Sequence, residues 1–158
     1  MGELISRILA LLEAAGLPAE ERLPSHPYRR VTDARANVQL RKLKSVGSGL
    51  GDYLGLSETE DGGTVERYGK KMTAEIRIRV LAADASAASE AASTVWETAE
   101  AGIPGVSVTG IELSEGSFDA QSDCFVQDVT VSVLASLWAE RTNNDTEFLN
   151  FHLEGEMQ

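Results

Sequence analysis

From Lys71 to Leu113 the sequence has a strand-helix-strand signature that dictates much of what the chain can fold into. Met72, Ala74, Ile76, Ile78 and Val80 alternate with Thr73, Glu75, Arg77, Arg79 and Leu81. A two-residue period with one mainly apolar face is the mark of a strand covered on that side. Asp84 follows at a helix N-cap position, where a short carboxylate accepts from free N–H groups of the first turn. Ala88, Ala91, Ala92, Val95, Trp96 and Ala99 then recur at helical spacing. Gly102 supplies a left-handed ending and Pro104 prevents continuation before an extended segment opens at Val106. The alanines let this helix lie close to a sheet, and Trp96 is its expected large anchor.

The remaining elements follow from the same two periods. Leu4, Ile5, Ile8, Leu11, Leu12 and Ala15 form a helical stripe ended by Gly16 and Pro18. Leu17 to Pro27 reads as a connector, with His26 as an exposed loop histidine. A first strand is expected over Asn37–Lys44, although Leu43 breaks its alternation. Residues 45–69 hold seven of the fourteen glycines and read as a long hairpin arm or a mobile loop. Gly47, Gly49 and Gly51 do not make a phosphate cradle, because no Lys-Ser/Thr pair follows them. After Val106, Gly110 suggests a bulge between Val108 and Ile111. Ser114 to Ser122 reads as a turn, and Phe125 to Trp138 as a long strand pairing antiparallel with residues 105–114. Leu149, Phe151 and Leu153 suggest one more short strand. The expected fold is α+β: one domain, 1–158, with a mainly antiparallel sheet, an N-terminal helix and a central helix on one face. A flexible insertion at 45–69 and a mobile end at 154–158 complete the expectation.

Composition narrows the function classes. No apolar run is long enough to span a membrane, and the start lacks the basic region of a signal peptide, so synthesis in the cytoplasm is expected. Cys124 is the sole cysteine, which excludes a disulfide or a thiolate metal cluster within one chain. Charge is divided unevenly. Residues 1–80 carry 13 Lys and Arg against 11 Asp and Glu, near +2, whereas residues 81–158 carry one against 14, near −13. Such an acidic chain is not expected to read a nucleic-acid sequence. Its local basic stretches, 29–44 and 67–79, are either solvated strand faces or one half of a contact in which the basic face of one copy meets the acidic face of the next. On the second reading the contact residues are Arg29, Arg30, Arg41, Lys70, Lys71, Arg77 and Arg79 on one side, and Asp119, Asp123 and Asp128 on the other.

Chemistry has less support. His26 and His152 are far apart in sequence. Asp123 beside Cys124 raises rather than lowers a thiol pKa, so a buried strand residue is the simpler reading of Cys124. Glu115, Asp119, Asp123 and Asp128 offer oxygen ligands, but their spacing fits no EF-hand, and an exposed acidic edge accounts for them. Asn144-Asp145-Thr146 matches the glycosylation triplet by chance in a chain without a secretion signal. No catalytic residue, cofactor or metal is expected.

Three stretches carry a family resemblance. They are LISRILALLEAAGLP leading to Tyr28–Arg30, EIRIRVLAADASAASEAASTVWETAEAGIPGV, and GSFDAQSDCFVQDVTVSVLASL with Phe118-Asp119 ahead of a long strand. In these, and in its order of elements, the chain resembles the tail terminator proteins of long-tailed bacteriophages, also called tail-to-head joining or minor tail proteins. Residues 45–69 lie outside the likeness. The resemblance implies a subunit that assembles with copies of itself into a ring, commonly a hexamer. The ring caps the tail tube, stops its growth and meets the head connector, so the partners are the chain itself, the tail tube protein and a neck protein. It implies a place in the virion tail, no membrane and no enzymatic activity. Another phage neck or tail component, a cellular α+β binding module that dimerises through its sheet edges, and a small enzyme using Asp119, Asp123 or Cys124 are the competing readings.

Overall fold

The computed structural model describes residues 2–21, 31–47, 52–58, 62–141 and 151–154. In chain order these form helix α1 (Gly2–Ala14), strands β1 (Ala19–Glu20), β2 (Arg35–Gly47), β3 (Tyr53–Glu58) and β4 (Thr64–Ala82), helix α2 (Ala85–Glu100), and strands β5 (Ser107–Leu113), β6 (Ser117–Asp119), β7 (Cys124–Arg141) and β8 (Phe151–Glu154). The fold is α+β, with both helices on one face of a mixed, mostly antiparallel sheet.

The two longest strands, β4 and β7, form the spine of the sheet and pair antiparallel without interruption from Glu66–Arg141 to Ala82–Phe125. On the far side of β4, β3 pairs along its first residues and β2 along the rest. On the far side of β7, β6, β5 and β8 follow one another along the strand. Short β1 runs parallel to β2 at Ala36 and Asn37 and is the sole parallel partner among the described residues.

Alternation decides the core. Ala74, Ile76, Ile78 and Val80 of β4, and Val129, Val131 and Val133 of β7, are buried on the helix-covered face. Leu4, Ile5, Ile8 and Leu12 of α1, and Ala88, Ala91, Ala92, Val95 and Ala99 of α2, are buried against this side. At about 25 cal/mol per Å² of apolar surface removed from water, this burial is the main favourable term in folding. Asp84 caps α2 as the sequence indicates: its Oδ1 accepts from the Ala87 N–H at 2.8 Å. Gly102 follows the helix with φ at 102°, left-handed backbone that glycine adopts without strain. Trp96 is only half-buried, and the deep anchor of α2 is instead Val95. The alanine-rich face brings the backbone so close to the sheet that a β-branched side chain fills the gap.

The Leu43 anomaly has a physical cause. Register shifts between Leu40 and Lys42, so Arg41 is the extra residue of a β-bulge. The bulge returns Leu43, paired with Ala74, to the face of Val38 and Leu40, and it lets β2 run from Arg35 to Gly47, beyond the expected limits at both ends. Gly110 also marks a shift, between Val108 and Gly110 of β5. The glycine-rich stretch 45–69 contributes the end of β2, all of β3 and the start of β4, so its described part is a hairpin arm. The stretch read as a turn after Ser114 contains β6. The short C-terminal strand is β8, paired with β7 of its own chain. His26, Arg29, Arg30, Asn144 and the end from 155 lie outside the described residues. No helix among the described residues is long and apolar enough to cross a membrane.

Candidate functional site

The face of the sheet away from the helices is where the two charge populations meet. Odd residues of β4 and even residues of β7 point there, so Arg79 stands opposite Asp128 and Arg77 opposite Thr130. Arg79 donates from Nε to Asp128 Oδ1 at 2.8 Å and from Nη2 to Oδ2 at 2.9 Å. The carboxylate is held in turn by its backbone: Asp128 N–H donates to Ser114 Oγ, and its carbonyl accepts from the Ser114 N–H, both at 2.9 Å. Arg77 donates from Nη2 to Gln39 Oε1 of β2 at 2.6 Å, while its Nη1 is 4.0 Å from Asp128 Oδ2. The buried Nε of Arg77 has no hydrogen-bond partner.

Two arginines therefore share one carboxylate. The hydrogen bond to Asp128 raises the pKa of Arg79, against the opposing effect of burial. Burial, and then the neighbouring Arg79, lower that of Arg77; Arg41 acts in the same direction. Asp119, at the end of β6, adds to the field on Arg79. Its own carboxyl is held below the ordinary range, first by the Ser122 hydroxyl at 2.6 Å and then by the Gln121 N–H at 3.0 Å.

The structure thus brings together Arg41, Arg77, Arg79, Asp128 and, at the margin, Asp119. It separates the other sequence candidates from them. Lys70 lies on the arm, with Nζ 3.9 Å from Asp52 Oδ2. Lys71 is exposed opposite Val46. Asp123 is exposed in the turn before β7, in left-handed backbone at φ 50°. The four carboxylates weighed as cation ligands do not converge: Asp128 is engaged by Arg79, Asp119 by its own turn, and Glu115 and Asp123 face solvent. Among the described residues no group of three or more His, Cys, Asp or Glu is placed to hold a metal ion. Cys124 is fully buried with Leu81 and Val31, and its Sγ donates to Ser122 Oγ at 3.2 Å.

Two clefts open beside the helices, one of about 380 Å³ at the start of α1 and one of about 400 Å³ along α2. The first runs along β2 from Val38 to Arg41 toward Glu21, and the second lies between Pro18, Asp33 and Glu90.

Exposed apolar side chains form a second feature, one that sequence reasoning missed. Leu43 lies on β2 just ahead of the arm, and Val46, Tyr53 and Leu56 lie on the arm, with Leu56 66% exposed. Leu113 and Phe118 lie on the opposite border of the sheet, with Phe118 54% exposed. Tyr53 meets Tyr68 edge-to-face at 5.4 Å, and Phe118 meets Phe125 at 5.3 Å, so each group has an ordered aromatic base. The one sequence signal was the odd parity of Leu43; within 53–58, glycine and polar neighbours hide the strand period.

The sequence matches no protein-family model, and no curated protein matches it.

Proposed function

We propose that this chain is a non-enzymatic assembly subunit that joins copies of itself head to tail into a ring, in the manner of a phage tail terminator. The observation that carries the reading is the pair of dissimilar exposed apolar groups at opposite borders of one sheet, Leu43, Val46, Tyr53 and Leu56 against Leu113 and Phe118. Exposed apolar surface of this kind is a common sign of association. Complementary surfaces on opposite borders of one sheet cannot both be satisfied in a two-fold dimer, whereas a head-to-tail contact uses each once per subunit and makes a ring where the rotation between copies closes.

Charge supports the same direction. The β2 border carries Arg35, Arg41, Lys42 and Lys44 without an acid, and residues 81–140 contain no lysine or arginine. The ring's two faces would then meet the tail tube protein on one side and the head-connector protein on the other, within the virion tail. This leaves no role for a cofactor.

Isolated tail tubes mixed with the purified chain provide the test. Electron micrographs are expected to show added density at one tube end, and tube protein is expected to stop polymerising when the chain is present. Unmodified tube ends and unchanged tube growth would overturn the tail-terminator assignment.

A further inference from the structure

We infer that successive copies join by direct strand addition, the free border of β2 in one copy pairing antiparallel with the free border of β5 in the next. This rests on the head-to-tail reading above and names its contact surface. Among the described residues, β2 has no outer neighbour beyond Asn37, and β5 closes the other side of the sheet. A strand edge with unpaired N–H and C=O groups is a template for another strand.

Topology fixes the direction. Strand β2 is antiparallel to β4, β4 to β7, and β7 to β5. The two outer strands therefore run oppositely, and a second copy set alongside with its helices on the same face presents β5 antiparallel to β2. The alternation of the sheet would continue across the junction.

Side chains match on both faces. On the helix side, Leu43 of β2 pairs internally with Ala74, and Leu113 of β5 with Val129, so both share the face of the buried core. Each is 47% exposed. On the opposite face, Lys44 pairs with Thr73 and Glu112 with Thr130. A single antiparallel register sets Leu43 against Leu113 and Lys44 against Glu112, and it carries Arg41 toward Glu115. Cross-strand apolar and opposite-charge pairs each favour pairing, and like charges directly opposite disfavour it. The lysines therefore also keep two β2 borders apart, which selects β2 with β5 over β2 with β2.

Cross-linking tests the junction. The register places Cβ atoms of residues 44 and 112 about 4.5–5.5 Å apart, near disulfide reach. Under mild oxidation, K44C mixed with E112C is expected to form a covalent heterodimer, and the K44C/E112C double variant a ladder of covalent multimers. Native Cys124 is buried and serves as the wild-type control. As a second arm, K44E is expected to weaken self-association roughly tenfold, with E112K added in the same chain restoring it to within about twofold. Assemblies of normal mass that neither cross-link nor respond to the charge exchange would overturn the edge junction while leaving head-to-tail assembly intact. A chain that forms no assembly at any concentration would overturn both.

Discussion

Arg79 grips Asp128 across the β4–β7 ladder with two hydrogen bonds, at 2.8 and 2.9 Å, and Arg77 lies close enough to share the same carboxylate. Removing that carboxylate leaves two half-buried guanidiniums facing each other. D128N is expected to cost about 1–2 kcal/mol, below the full value for a charged hydrogen bond because the pair is partly solvated. Urea unfolding of wild type and variant measures it. Since the pair neutralises itself within the chain, self-association of the folded variant is expected to be unchanged.

The turn between β6 and β7 should respond to acid. The Asp119 carboxyl is lowered by the Ser122 hydroxyl, the Gln121 N–H and Arg79. A lowered folded-state pKa contributes stability that is present above the unfolded carboxylate value, about 3.9, and lost as pH falls through the folded value. S122A removes the largest cause. Carboxyl NMR titration is expected to show the Asp119 midpoint moving up toward the ordinary range in that variant. An unmoved midpoint would show that the hydroxyl does not hold the carboxylate.

The close seating of α2 makes a third expectation. Ala92 is fully buried where the helix lies on the sheet. A92L inserts a branched side chain into that contact and is expected to cost about 1–3 kcal/mol. W96A, at a half-buried position, is expected to cost less than replacement of a fully buried aromatic, which runs to about 3–5 kcal/mol. Thermal unfolding of both variants ranks them.

Salt is the fourth lever. If the basic β2 border and the acidic β5 border attract one another, their contact is screened over about 8–10 Å at ordinary ionic strength. Self-association is expected to weaken from low to high salt, with the apolar pair of Leu43 and Leu113 retaining part of it. An assembly equilibrium that does not shift with salt would remove the electrostatic half of the argument.

The core of this fold was legible in the sequence because its period is regular. The alternation from Met72 to Val80 and the N-cap at Asp84 each have one local cause, and the structure shows both. What was not legible depended on contacts between distant residues. The bulge at Arg41 inverts the parity that a strand reading relies on, so β2 looked shorter than it is. Strand β3 carries Gly55 at φ 128° between two leucines, and its pairing with β4 rather than its own pattern makes it a strand. Arg79 and Asp128 were both recognisable as interface candidates. Their partnership was not, because 49 residues separate them and only the β4–β7 register brings them together.

Head-to-tail binding between copies of this chain is the proposal on which the ring rests. Its most direct test is the mass of the purified protein by sedimentation velocity and light scattering across a wide concentration series at low salt. A concentration-dependent shift is expected from the 17.0 kDa chain to one closed assembly of fixed copy number, without longer filaments. A species that stays at the mass of a single chain throughout, or that stops at a two-fold dimer, would contradict it.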